Sequence, residues 1–202
     1  MEDAPRRRPG GRSARVRQAV LEAALDALEQ GGPAPTLPEL AARADVAASS
    51  IYRRWGTWEA VVGDALLESS RAAIPAPDTG TLRGDLHAWC SAVADYLRTP
   101  RGHALARAAA TVGDTIDADG APDVRALREQ FWKARFEAAL PMLERARVRG
   151  ELVGLAPADD LLLLELLVAP LHLRRLLTGA DVGADLAARI DLVLRAASVG
   201  GR

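Results

Sequence analysis

A chain of 202 residues, 49% of them hydrophobic, can bury a substantial core as one domain or two. Its 26 basic and 27 acidic residues give a net charge of −1, which excludes a uniformly basic nucleic-acid coat and leaves any such role to a local patch. The single cysteine, Cys90, excludes an internal disulfide, and the longest apolar run, 161–171, is interrupted by Glu165 and too short to span a bilayer.

Gly and Pro fall mainly at the ends of periodic segments and β-branched alternation is nearly absent, so the expected class is all-α. Residues 1–17 carry six arginines, Arg6, Arg7, Arg8, Arg12, Arg15 and Arg17, against Glu2 and Asp3, a local charge of +4. Residues 1–12 read as a basic tail, an electrostatic footprint that the whole-chain sum conceals. No apolar leader-like run follows it, so the expected setting is the cytoplasm. A first helix is expected from about Ser13, with Val16, Val20, Leu21, Ala24, Leu25 and Leu28 on one stripe, ending at Gly31-Gly32-Pro33. Arg12, Arg15 and Arg17 stand at its start.

Residues 36–65 then pattern as two short helices, a tight turn and the opening of a third. Thr36 is a good N-cap residue. Leu37, Leu40, Ala41 and Ala44 recur at helical spacing. The run breaks at Asp45, a residue type that tolerates a left-handed turn, and Val46 follows as an apolar plug. A second helix is expected from about Ala47 to Trp55, with Ile51 and Trp55 inward. Ser49, Ser50 and Arg53 lie on the opposite arc, flanked by Tyr52 and Arg54. Small and basic residues outward on a short helix suit a DNA major groove.

The ordered set of Thr36–Ala41 (T-x-x-x-L-A), Ala44–Val46 (A-D-V), Ser50–Trp55 (S-I-Y-R-R-W) and Thr57–Val61 (T-W-E-A-V) resembles the helix-turn-helix core of TetR-family (tetracycline-repressor-like) regulators. The likeness is strong from about Arg15 to Leu67. It continues more weakly through LRGDL at 82–86, RARVRGEL at 145–152 and VAPLHLRRLLTG at 168–179. It implies a DNA-binding domain over 1–71 and a helical ligand-binding and dimerisation domain over 82–202. It also implies a palindromic double-stranded operator and a homodimer. A small effector, hydrophobic or aromatic, would relieve operator binding. On this pattern Ser49, Ser50 and Arg53 meet bases, Thr36, Tyr52, Arg54, Thr57 and Trp58 hold phosphates, and Ala48 belongs to the same DNA-binding set. Two positions depart from it: Ala47 stands where a capping serine is usual, and Trp58 where a phosphate-binding lysine is usual. The alternative they motivate is a helical ligand-binding or interaction protein with weak or lost DNA binding.

Beyond Thr57, another N-cap, a helix is expected to about Ser70, then a Pro- and Gly-containing joint over 72–81. Five helices are expected after it: about 82–97, 100–112, 122–149 kinked at Pro141, 158–178 and 183–197. The stretch 113–122 between the second and third is the expected loop. The 158–178 helix is apolar almost all round, which suggests that a partner chain covers one side, reached through Leu167 or Leu171. Trp89, Tyr96, Thr111, Phe131, Trp132, Phe136, Met142 and His172 are candidate pocket residues. Few buried charges are evident, favouring a hydrophobic or aromatic effector over a highly charged one. His87, His103 and His172 fall on separate helices without metal spacing and Cys90 has no neighbouring base, so neither catalysis, a metal nor a cofactor is expected.

Overall fold

The computed structural model describes residues 11–111 and 124–199, less the side chains at 12, 70–73, 111, 124–128 and 198–199. The arginines at 6, 7 and 8, the Arg12 side chain and the expected loop at 113–122 therefore lie outside the described residues. Ten α-helices and no strand are found among those described: α1 (Gly11–Gln30), α2 (Leu37–Arg43), α3 (Ala48–Arg54), α4 (Trp58–Ala73), α5 (Leu82–Arg98), α6 (Pro100–Thr111), α7 (Val124–Glu137), α8 (Leu140–Val148), α9 (Asp160–Leu173) and α10 (Leu186–Val199). The all-α expectation holds. No described helix is long and apolar enough to cross a membrane.

The expected kinked helix at 122–149 is two helices. Pro141 has no N–H to give to the carbonyl of Glu137, and its ring would clash with that carbonyl. α7 accordingly ends at Glu137, and α8 starts at Leu140 with the proline in its first turn, where no donor is needed. The apolar segment after it also divides, into a 3-10 turn at Pro157–Asp159, α9, and a π turn at Arg174–Thr178 that Gly179 closes at φ 65°.

Two hydrophobic cores result. The first gathers Val20, Leu21, Leu40, Ile51, Val61 and Val62 from α1–α4, and also takes Leu105, Ala109 and Phe131 from α6 and α7. The second holds Leu86, Trp89, Val93, Met142, Leu164, Leu167, Leu171 and Ile190 from α5 and α8–α10. Tyr96 and Trp132 touch both.

The motifs at 82–86 and 145–152 form a polar clasp at one end of the second core. The backbone N–H and hydroxyl of Thr79 donate to buried Asp85 at 2.6 and 2.8 Å, and Arg149 reaches its other oxygen at 3.4 Å. Glu151 accepts from the Leu82 amide at 2.6 Å and pairs with Arg149. These residues tie α5 to the end of α8, so their work is structural. Gly102 sits so close to α5 that a Cβ there would lie 1.9 Å from the Tyr96 carbonyl oxygen, which fixes the tight α5–α6 corner.

Leu167 and Leu171, the expected partner-facing pair, are both 0% exposed within this chain's own core. The outward apolar face of α9 is instead Leu162, Leu166, Ala169 and Leu173, spaced four, three and four apart. Leu162, Leu166 and Leu173 are each about half exposed, and Leu177 and Leu192 extend the apolar surface at 77% and 61%. A helix without a polar stripe gives a helical wheel no direction, and this is where the expectation failed.

Candidate DNA-reading face and effector cleft

The turn between α2 and α3 is built by local chemistry. Thr36 makes a complete capping box: the Glu39 amide donates to its hydroxyl oxygen at 3.4 Å, and the Glu39 carboxylate accepts from the Thr36 amide at 2.8 Å. The carboxylate also accepts a hydrogen bond from the Thr36 hydroxyl at 2.9 Å. The hydrogen bonds from the Thr36 amide and, second, its hydroxyl hold the Glu39 carboxyl below the usual carboxylate range. At the other end of α2, Asp45 adopts φ 51°, and the amides of Asp45 and Val46 close back on Ala42 and Ala41. That is a Schellman closure with Asp in the place glycine usually takes.

α3 presents Ile51, 0% exposed, to the first core. Ser49, Tyr52 and Arg53 are exposed on the outer side, and Ala48 and Ser50 are half-buried beside them. Among the described residues, Ser49, Tyr52 and Arg53 have no side-chain hydrogen bond or ion pair. Arg54 instead stacks 5.3 Å from the Trp55 ring centre and reaches Ser13 on α1 at 3.5 Å. Ala47 caps α3 with extended backbone (φ −68°, ψ 131°) and no side-chain bond. Thr57 caps α4, accepting from the Ala60 amide at 3.2 Å. Trp58 is half-buried against the first core.

A network that the sequence reading missed fixes this unit. Arg17 on α1 pairs with Asp64 at 2.5 Å and Glu68 at 3.0 Å, both on α4, and the Trp55 indole donates to Asp64 at 3.1 Å. Burial raises the Asp64 carboxyl, but the hydrogen bonds from Arg17 and Trp55 outweigh it and hold the pKa below its ordinary value. Arg17 is thus committed to holding three elements together. The spacing of Asp64 and Glu68, four apart on one helix face, was the available signal.

In the other half, Tyr96, Phe131, Trp132 and His172 come together. With Ser69, Leu97, Leu105, Ala106, Ala109 and Arg135 they line one cleft where α4, α5, α6, α7 and α9 meet. Its free volume is about 10 Å³, room for about one water. Trp132 meets Phe131 and His172 edge-on at 5.0 and 4.9 Å and stacks on Phe136 at 5.9 Å. Phe136 packs behind Trp132 and does not line the cleft. Trp89 and Met142 lie in the second core, 2% and 0% exposed, away from it. The Thr111 side chain is outside the described residues. His172 bonds the Val168 carbonyl through Nδ1 at 3.2 Å, and burial pushes its pKa down to about 4, so the ring is neutral at ordinary pH. It also forms the wall shared with an open apolar groove of about 670 Å³ between α6 and α9.

The expectation of few buried charges needs correction, since Asp85, Arg135 and Asp160 are all buried. Asp160 is paired with Arg147 and Asp85 with Arg149. Arg135 stands four residues after Phe131, inside an otherwise apolar stripe, and that spacing was its only trace in the sequence. Cys90 is also buried, and burial pushes its thiol pKa up to about 12, the behaviour of a core residue rather than a nucleophile. No cluster of potential metal ligands occurs among the described residues.

Comparison with known proteins covers both halves. Residues 20–65 match the domain of bacterial regulatory proteins of the tetR family, and residues 76–193 match the tetracyclin repressor-like C-terminal domain. The chain is 32% identical over 176 residues to the HTH-type transcriptional regulator AqdR of Rhodococcus erythropolis, covering 87% of this chain and 81% of that protein. It is 31% identical over 183 residues to YdeS of Bacillus subtilis, an uncharacterized HTH-type transcriptional regulator, covering 89% and 86%. The crystal structure of the TetR family transcription regulator SCO0332 superposes with a TM-score of 0.70 at 27% identity, covering 89% of this chain and 97% of that one. With its helix-turn-helix half and its helical second half both matched, the chain belongs to the TetR family and is a DNA-binding transcriptional regulator.

Proposed function

We propose that this regulator is a homodimeric repressor that works in the cytoplasm, reads a palindromic operator through α3, and lets go when a small aromatic effector enters the cleft. The observation that carries the reading is the outer arc of α3. Ser49, Tyr52 and Arg53 are exposed with no protein partner, while Ile51 anchors the same helix at 0% exposure. In the proposed complex Ala48, Ser49, Ser50 and Arg53 face base edges, and Thr36, Tyr52, Arg54, Thr57 and Trp58 lie toward phosphates. Phosphate contacts carry most of the salt-dependent affinity, and base contacts set the sequence.

The exposed leucines of α9, with Leu192 of α10, supply an apolar face for a two-fold partner. A dimer sets the distance between two α3 helices, which must match half-sites one helical turn apart. Two sets of contacts within the chain support a link from the cleft to that distance. Ser69 of α4 forms part of its wall, and α4 packs along α7. Arg101 of α6 reaches Glu22, Asp26 and Glu29 of α1, at 2.9, 2.9 and 2.5 Å. An effector that wedges α7 from α4 would move α1 and α4, and with them α3. Differential affinity of a few kcal/mol between the two spacings is enough to shift the population.

The test is a gel shift with genomic fragments followed by footprinting. A protected palindrome with half-sites about one turn apart is expected. Binding no tighter than to random DNA would favour the alternative of a ligand-binding protein that has lost its operator.

A further inference from the structure

Arg135 is the anomaly of the cleft. It is 7% exposed, and its Nε and Nη2 are buried with no hydrogen-bond partner among the described residues. Its nearest compensation is the Tyr96 ring, 6.0 Å from the guanidinium carbon, at the outer limit of a useful cation–π contact. Arg17, Arg147 and Arg149, each partly buried, have Asp64, Asp160 and Asp85. Arg175 and Arg189 also keep one buried nitrogen without a partner, but both are more exposed than Arg135. None of the ten residues lining the cleft is acidic, and His172, facing in from α9, is neutral. A buried guanidinium stays charged and is costly without a counter-ion.

We infer that the cleft takes an aromatic carboxylate, its acid group seated on Arg135 and its ring among Trp132, Phe131 and Tyr96. The inference rests on the effector reading of this cleft and adds the chemical class. A planar guanidinium offers two parallel N–H donors to a carboxylate, and the two donors left without protein partners match that need. The surrounding rings prefer a flat apolar body. The acid would complete what the fold leaves unfinished. At about 10 Å³ the cleft is closed to such a molecule, so entry requires side chains to turn. His172 lines both the cleft and the groove between α6 and α9, so it is the side chain whose turning would open one toward the other.

Calorimetric titration of the full-length protein with 3-phenylpropionate and indole-3-acetate, each beside its primary amide, tests this. The acids are expected to bind at least about tenfold more tightly than the amides, a gap of about 1.4 kcal/mol. Arg135→Met should erase that gap, and it should raise the melting temperature of the ligand-free protein by about 2 °C or more, because an uncompensated buried charge is gone. Amides that bind as tightly as acids would overturn charge recognition while leaving the effector cleft standing. If neither acids nor amides bind, the effector reading falls and this inference with it. A melting temperature lowered by Arg135→Met would show that the chain already neutralises this arginine, which also overturns the inference. The acid–amide comparison on unaltered protein decides the matter even if the variant fails to fold.

Discussion

The outer arc of α3 and the cleft around Arg135 both hold polar groups without protein partners, yet the two mean different things. Arg53 and Ser49 are exposed, so water satisfies them until a partner arrives, and leaving them unpaired costs little. Arg135 is buried, and its Nε and Nη2 have no hydrogen-bond partner among the described residues, so the fold carries a penalty at that point. An unpaired surface group marks a face that can bind. An unpaired buried group marks a site whose stability is incomplete. Both halves of a ligand-controlled regulator need a vacancy, but the DNA face needs an open one and the effector site a closed one.

The largest expected effects concern α9, which has one buried and one exposed apolar face. Leu167→Glu with Leu171→Glu places charges in a fully buried core and should unfold the second half, a loss of more than about 4 kcal/mol. Leu162→Glu with Leu166→Glu, one turn away on the exposed face, should leave the helical circular dichroism spectrum intact and convert a dimer to a monomer. Sedimentation velocity and thermal melts on both pairs distinguish core from interface. A wild-type monomer at micromolar concentration would break the proposed dimer, and with it the geometric link between cleft and operator.

These pairs also mark how far the sequence could be read. Thr36, Asp45 and Thr57 were legible because caps and turns are decided within a few residues, and each sits in the structure as its residue type requires. Stripes with a polar side were legible too: Val20, Leu21, Ala24 and Leu25 point inward on α1. The facing of α9 was not, because leucines surround it and only neighbouring helices decide which are covered. Pro141 signalled a disruption, but the helix stops at the residue four before it rather than bending at the proline. Arg17 and Arg135 look alike in sequence, each an arginine on an amphipathic helix. One meets Asp64 from 47 residues away and the other meets no acid among the described residues, a difference made entirely by tertiary contacts.

A finer break of the comparison lies within the DNA-binding half. Asp64→Ala removes the acceptor shared by Arg17 and Trp55 and should destabilise that half by about 2–3 kcal/mol in a thermal melt. Because the folded carboxyl titrates below its unfolded value, the network contributes in full above the ordinary carboxylate range and is lost as pH falls through the depressed value. Wild type should therefore lose stability on acidification more steeply than Asp64→Ala. Parallel pH profiles would show the network to be irrelevant. Arg53→Ala should instead leave the melt unchanged, since its side chain has no hydrogen bond or ion pair among the described residues. It should lose about 1–3 kcal/mol on the true operator while barely changing binding to random DNA. Equal losses on both in a titrated gel shift would reduce Arg53 to a phosphate contact.

The smallest effect expected is also the one that sharpens the comparison most, because it adds a partner where the chain lacks one. At the start of α3, Ala47 already has the extended backbone that a capping residue needs, with φ −68° and ψ 131°, but no side chain to use it. Its carbonyl takes the Ser50 amide at 2.9 Å, closing the first turn without help from a hydroxyl. Ala47→Ser supplies an oxygen in the right place and should stabilise the helix by about 1 kcal/mol. For a domain pair of this size that is about 2–4 °C in melting temperature. The same change should tighten DNA binding on operator and random sequence alike, since a hydroxyl at the amino end of α3 steadies the helix and adds a phosphate donor without touching a base edge. A serine that raises the melting temperature but loosens operator binding would mean that the uncapped turn must give way when α3 enters the groove. An unchanged melting temperature would mean that water already caps α3 as well as a hydroxyl does.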